Sequence, residues 1–416
     1  MRNPGPDPIR AANILTSNRP TRSTTVNNPQ FTAMWRRLSQ IVVKVRRRHG
    51  FECSGSASPG FPTAAAGQPK SDKTSTTTMP LPSEKDQLKW ASIPWTSVVD
   101  EETGKILGWR KSQVPYISGG VDNNGLSLQT LDVWLPASAA VTPDGTTQEA
   151  PDASFLPSQS GHWIVYIHGG AWRDPKIDAS SFSPTAINLL QAAASSFSKG
   201  SVPIAGVASL NYRLSPHPNH PTDGRDPNRA AKHPDHISDI LTGLAFLQRL
   251  GCATGSWLLS GHSCGATLAF QAVMAPSRWG LDTTIVKPTV LVGLNGLYDL
   301  AGFITMPPPK YAGLRDAYEE FTRGAFGDDV TVWQEACPVT ADDWTSEWQE
   351  GKQVVLAQSR DDSLVPYDQL EKMGAYLSKS SSLKIREMEA GGDHDDIWKK
   401  GDRLAEILYD VVSGLM

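Results

Sequence analysis

Four cysteines in 416 residues, Cys53, Cys252, Cys264 and Cys337, are too few to staple the chain, and none sits at CxxC or metal-ligand spacing. Disulfide scaffolds and structural zinc sites are excluded on that ground, and the thiols read as reduced. No Asn-x-Ser/Thr acceptor occurs, which agrees with an intracellular setting. Long apolar runs are also missing. The most apolar stretch, TVLVGLNGLYDLAGFI at 289 to 304, is broken by Asn295 and Asp299 and is too short to span a bilayer, so no membrane partner is expected. Acid is almost absent from the first fifty residues, where nine Arg and one Lys face only Asp7, a net charge of +9. Beyond residue 50 the balance reverses to 29 basic and 42 acidic side chains, a net of −13. A body that acidic repels phosphate backbones, which argues against nucleic acid as a partner.

The Arg-rich opening has the composition of an organellar transit peptide. Residues 53 to 78 are Ser, Thr, Ala, Gly and Pro with Phe61 the only large apolar side chain, so they cannot bury enough surface to offset the entropy of ordering. Met79 then opens MPLPSEKDQLKWASIPW, a second candidate start. The expected organisation is a leader over 1 to 85 (a transit peptide, a disordered segment or a non-native start) and one catalytic domain over 86 to 416. The expected location is cytoplasmic, or mitochondrial if the leader is a transit peptide.

Strand-like runs occur at 126 to 136, 162 to 170, 204 to 214, 289 to 296, 352 to 359 and 383 to 389, and a short apolar run, Trp257-Leu258-Leu259, adds another. Helical stretches lie between them at 235 to 249, 264 to 274, 367 to 379 and 398 to 412. Strands alternating with such helices predict an α/β fold with a mostly parallel central sheet flanked by helices. The stretch 301 to 350 reads as a lid-like insertion, and 137 to 160 as a further insert between the first two of these strands.

Ser263 sits at a strand-to-helix corner in Gly261-His262-Ser263-Cys264-Gly265. This is the G-x-S-x-G pattern of the α/β-hydrolase nucleophile elbow, where glycines let strand and helix pack against a strained turn that exposes the hydroxyl. A serine needs a base within hydrogen-bond reach and a third group to orient that base. In this fold the chain order is Ser, acid, His. One histidine follows Ser263, namely His394 in the Gly-rich loop GGDHDDIW. For the acid, Asp361 and Asp362 both follow the run 352 to 359. Asp362 is preferred because Asp-x-x-Val-Pro is how this loop reads in α/β-hydrolases, with Asp361 the fallback. The run YIHGGAW at 166 to 172 resembles an HGGG-type oxyanion loop, which makes the N–H groups of Gly170, Ala171 and Cys264 the expected donors. Cys264 is not expected to be a nucleophile, since its side chain should turn away from the corner. His217, His220, His233 and His236 crowd one Pro- and Asp-rich stretch, which reads as a solvated loop rather than a metal site. No metal and no cofactor are expected.

Six segments together, YIHGGAWRDP (166 to 175), YRLSP (212 to 216), GHSCGAT (261 to 267), NGLYDL (295 to 300), SRDDSLV (359 to 365) and HDDIWKKG (394 to 401), resemble the fungal kynurenine formamidases (arylformamidases), near the hormone-sensitive-lipase-like branch of the α/β-hydrolases. The resemblance spans roughly residues 126 to 410 and excludes the leader. It implies hydrolysis of N-formyl-L-kynurenine to L-kynurenine and formate, in tryptophan catabolism toward NAD, with that small molecule as the partner. Ser263 would attack the formyl carbon, His394 would shuttle the proton and Asp362 would orient His394. Trp172 would line an aryl slot and Arg173 would meet the substrate carboxylate. A homodimer is compatible with this reading. The alternatives are a carboxylesterase for short-chain or aryl esters, and a catalytically inactive α/β-hydrolase serving as a binding module.

Overall fold

The computed structural model describes residues 82–118, 127–140, 149–157, 161–196, 204–218, 226–380 and 382–415. The leader expectations for residues 1–81, Met79 included, lie outside these residues. So do His220 and parts of the insert at 137 to 160.

Nine strands form one sheet: β1 (Thr96–Val99), β2 (Ile106–Pro115), β3 (Thr130–Pro136), β4 (His162–Ile167), β5 (Ile204–Leu210), β6 (Trp257–His262), β7 (Val290–Leu294), β8 (Gln353–Gln358) and β9 (Lys384–Glu389). Their spatial order is β1-β2-β3-β5-β4-β6-β7-β8-β9. The pairings β1/β2, β2/β3 and β3/β5 are antiparallel, and every pairing from β5 to β9 is parallel. The central parallel strands are buried on both faces, which is why they read as near-continuous apolar runs.

Alternation along those strands feeds two cores. Val165, Ile167, Leu259, Leu291 and Val354 face one layer, with α3 (Asp235–Arg249), α4 (Cys264–Gln271) and α8 (Asp368–Leu377). Ile164, Tyr166, Leu258, Val292 and Val355 face the other, with α2 (Ser183–Ser196), α9 (Asp396–Lys400) and α10 (Asp402–Ser413). The expected helix at 398 to 412 is thus two helices. Gly401 separates them at φ 73°, where a Cβ would lie 2.6 Å from the Thr185 backbone nitrogen.

Helix α1 (Glu84–Ala91) begins inside the stretch assigned to the leader, capped by Ser83, whose hydroxyl accepts the Asp86 N–H at 3.1 Å. It is tied down by fully buried Trp90, whose indole donates to the Phe155 carbonyl at 2.8 Å. The insertion at 301 to 350 carries α5 (Leu300–Thr305), α6 (Arg315–Phe326) and α7 (Val330–Ala336). No described helix is long and apolar enough to cross a membrane.

Candidate active site

β5 lies on one side of β4 and β6 on the other, so the chain leaves β4 and β6 at the point where the winding reverses, the usual place for a site in open parallel sheets. The HGG loop follows β4 and Ser263 follows β6. Ser263 adopts φ 55° and ψ −123°, a strained conformation for a residue with a side chain. The surrounding packing fixes it. A Cβ on Gly261 would fall 2.1 Å from the Gly265 carbonyl oxygen, and one on Gly265 would fall 2.3 Å from that of Ile167. Both glycines of the pentapeptide are therefore demanded by contact between strand, helix and the end of β4.

His394 is carried on the loop between β9 and α9. Its Nδ1 donates to Asp362 Oδ2 at 2.8 Å, and both side chains are buried. Asp362 Oδ1 accepts the N–H groups of Leu364 and Val365, each at 2.8 Å, while Gln358 Nε2 reaches Oδ2 at 3.2 Å. Asp361 is exposed, so burial and bonding single out Asp362 of the pair. Ser263 and His394 are walls of one cavity, without a hydrogen bond between them among the described contacts.

Two side chains to which the sequence reading gave no role hold the His394 loop. His262 Nε2 donates to the His394 carbonyl at 2.9 Å, and Asn295 Nδ2 does so at 3.0 Å. Asn295 also accepts the Ser359 N–H at 2.9 Å, linking the end of β7 to the loops that carry Asp362 and His394. The only pattern-level hints were a histidine beside the nucleophile and an Asn-Gly after a strand. Burial, with the His394 imidazole alongside, holds His262 well below the usual histidine range, so it is neutral.

The loop after β4 has φ 99°, 50° and 58° at Gly170, Ala171 and Trp172. Tyr212 holds it from below, donating to the carbonyls of His168 at 3.1 Å and Gly169 at 3.3 Å. The Trp172 N–H donates to the Cys264 thiol at 3.2 Å. Gly170 and Ala171 line the Ser263 cavity, and Cys264, as the first residue of α4, carries an N–H with no preceding turn to accept it. Burial pushes the Cys264 thiol up to about 11, which keeps it protonated and inert near neutral pH.

The cavity, about 250 Å³, is walled by Leu297, Phe303, Leu314, Tyr318, Phe321 and Val365, with Arg173, Asp174, His217 and Asp395 as polar side chains beside Ser263 and His394. Trp172 is placed elsewhere: its left-handed backbone turns the side chain inward, where it is fully buried and packs edge-on against Phe326 at 5.0 Å. The aromatic wall comes instead from the insertion, where Phe303 stacks on Tyr318 at 3.5 Å. That insertion also bonds the acid loop, through Tyr311 to the Asp362 carbonyl at 2.7 Å and Tyr318 to that of Leu364 at 2.8 Å.

The histidine-rich stretch is not a solvated loop in its described part. His236 is buried against Ser215 Oγ at 3.0 Å, and His217 reaches the cavity. Among the described residues one trio, His262, His394 and Asp395, brings potential ligand atoms within 4.8 Å of one another. Those side chains are already engaged: His262 with the His394 carbonyl, His394 with Asp362, and Asp395 with Lys399 at 2.9 Å and the Trp398 indole at 3.1 Å.

No protein-family model matches the chain. It is 34% identical over 312 residues to a kynurenine formamidase-like hydrolase of Fusarium equiseti, covering 73% of this chain and 95% of the relative. It is also 34% identical over 266 residues to a kynurenine formamidase of Aspergillus versicolor, covering 60% and 88%. A kynurenine formamidase of Meyerozyma guilliermondii is 28% identical over 252 residues, covering 60% and 83%. Among solved structures, an inhibited esterase B from Lactobacillus rhamnosis matches with TM-score 0.50 at 16% identity, over 80% of this chain and 93% of that one. A truncated carbohydrate esterase from gut microbiota gives TM-score 0.50 at 16% identity, over 77% and 100%. These structural likenesses speak to the fold, which is that of an α/β-hydrolase. The sequence identities place this chain in the kynurenine formamidase family of α/β-hydrolases.

Proposed function

We propose that the chain hydrolyses the formamide of N-formyl-L-kynurenine, releasing L-kynurenine and formate, with Ser263, His394 and Asp362 as the catalytic residues. The observation that carries this reading is the buried Asp362–His394 hydrogen bond opening onto the cavity that Ser263 also lines. With its Nδ1 proton committed to Asp362, the imidazole presents Nε2 to the serine. Ser263 Oγ attacks the formyl carbon as Nε2 takes its proton. The negative oxygen of the tetrahedral intermediate is met by the N–H groups of Gly170, Ala171 and Cys264. Collapse breaks the C–N bond while the imidazolium returns the proton to the departing arylamine, leaving a formyl ester on Ser263. Water, deprotonated by the same nitrogen, then attacks that ester and frees formate.

The apolar wall of Phe303, Tyr318 and Phe321 suits an aryl leaving group, and Arg173 in the cavity wall suits its carboxylate. The test compares kcat/KM for N-formyl-L-kynurenine and p-nitrophenyl acetate on the purified protein and on Ser263→Ala. The expected result is preference for the formamide, and loss of both activities on the order of a millionfold in the variant. Preference for the ester would favour the carboxylesterase alternative. More than a tenth of wild-type activity in Ser263→Ala would overturn the serine assignment.

A further inference from the structure

The two consecutive charges Arg173 and Asp174 sit in the wall of the same apolar cavity. Each is less fully paired than a charge in such a place ordinarily is. The Arg173 side chain is 14% exposed, and its partner Glu320, on α6, is 3.4 Å away with a side chain 54% exposed, a loose contact with a solvated carboxylate. Asp174 has no cationic partner among the described residues. The other acid in the wall, Asp395, contrasts with it, since Lys399 lies 2.9 Å from its carboxylate. Asp174 Oδ1 accepts the Lys176 N–H at 2.9 Å, a turn bond that leaves the second oxygen uncommitted. Asp174 also stands next to Gly170, in the wall of the cavity that Ser263 and His394 line: a Cβ placed on Gly170 would lie 3.1 Å from its Cβ.

We propose that Arg173 and Asp174 form a paired subsite for a free α-amino acid, Asp174 taking the ammonium and Arg173 the carboxylate. The enzyme would then select zwitterionic formanilides over those lacking either charge. This rests on the hydrolase reading above and adds the source of its selectivity. An ammonium beside Asp174 gains a charge-assisted hydrogen bond in a half-buried site, and a carboxylate can draw the guanidinium from Glu320 into a two-pronged contact. Both gains need the substrate's own charges.

The experiment uses three substrates: N-formyl-L-kynurenine, its desamino analogue 4-(2-formamidophenyl)-4-oxobutanoate, and the uncharged 2'-formamidoacetophenone. Each is assayed with the wild-type full chain, Asp174→Asn and Arg173→Gln. Asn retains the oxygen that accepts the Lys176 N–H, so Asp174→Asn removes charge and keeps the turn. In wild type, kcat/KM is expected to fall at least about tenfold at each loss of a charge. In Asp174→Asn the ratio of the first substrate to the second collapses toward one, and in Arg173→Gln the ratio of the second to the third does so. Ratios that match wild type in both variants overturn the proposal. A melting curve reports folding, so a variant that does not fold is replaced by Asp174→Ser or Arg173→Lys and judged by the same ratios. If wild type cleaves none of the three yet cleaves p-nitrophenyl acetate, the formamidase reading itself falls and takes this inference with it.

Discussion

The imidazole of His262 donates from Nε2 to the backbone carbonyl of His394, 2.9 Å away across 132 residues of sequence. The residue beside Ser263 thus grips the loop that carries His394, and the elbow and the His394 imidazole cannot move apart without breaking that bond. Burial keeps His262 neutral, which leaves Nε2 as its donor and makes the grip independent of pH near neutrality. His262→Ala is expected to lower kcat by about a hundredfold, the scale of a misplacement near 1 Å, with KM within a few fold. Steady-state kinetics beside a melting curve test it. A loss that tracks melting temperature alone, with kcat intact at 20 °C, would show that His262 only packs.

Asp362 and Asp361 are adjacent in sequence and opposite in environment, one buried under four donors and the other exposed. Asp362→Asn removes the acceptor that fixes the His394 tautomer and should cost about ten-thousandfold in kcat. Asp361→Asn should stay within about twofold, as surface substitutions do. Reversal of this order would move the acid to Asp361.

The parallel strands and the helix at 235 to 249 were legible because strands buried on both faces need uninterrupted apolar runs and the helix keeps one apolar stripe. Ser263 stood out because a strained elbow demands glycine contacts that write themselves into the sequence, whereas His394 was singled out as the one histidine after it and Asp362 by the reading of its loop. β2 was not, because ILGWRKSQVP looks polar. Its Lys111 is fully buried only because the carbonyls of Trp90, Ile93 and Ala153 converge on the ammonium, a tertiary arrangement that leaves no periodic signal. Trp172 was assigned to the substrate slot because pattern says nothing about φ. The left-handed turn at 170 to 172 points its ring into the core, and the slot is walled from an insertion more than a hundred residues later.

Cys264 bears on the loop proposed to bind the oxyanion through its thiol as well as its backbone. Three successive positive φ values, one at a tryptophan, persist only where the surroundings hold them, and the Trp172 N–H to Cys264 Sγ bond is one such hold. Cys264→Ser keeps an acceptor at that place and should remain within about threefold of wild type. Cys264→Ala leaves the buried N–H unpaired and should lower kcat about tenfold with KM preserved, a fraction of the penalty for deleting an oxyanion donor outright. Equal kcat values for the Ala and Ser variants would remove the thiol from this role.

Burial holds His168 and His233 down to about 4 and His236 to about 3, against an ordinary 6.5. Between those values the unfolded chain binds protons that the folded chain refuses, so stability rises with pH through this window, is complete above about 6.5 and drains as pH falls toward 4. Each histidine contributes a slope of up to about 1.4 kcal/mol per pH unit. Urea unfolding from pH 8 to pH 4.5 should therefore give a midpoint flat above 7 and falling below 6.5. In His236→Gln, whose amide can still meet Ser215 Oγ, the fall should be shallower by one proton whatever the variant's stability at pH 8. An unchanged slope would mean that His236 takes up its proton in the folded state, and that the space around Ser215 and Tyr212 admits water.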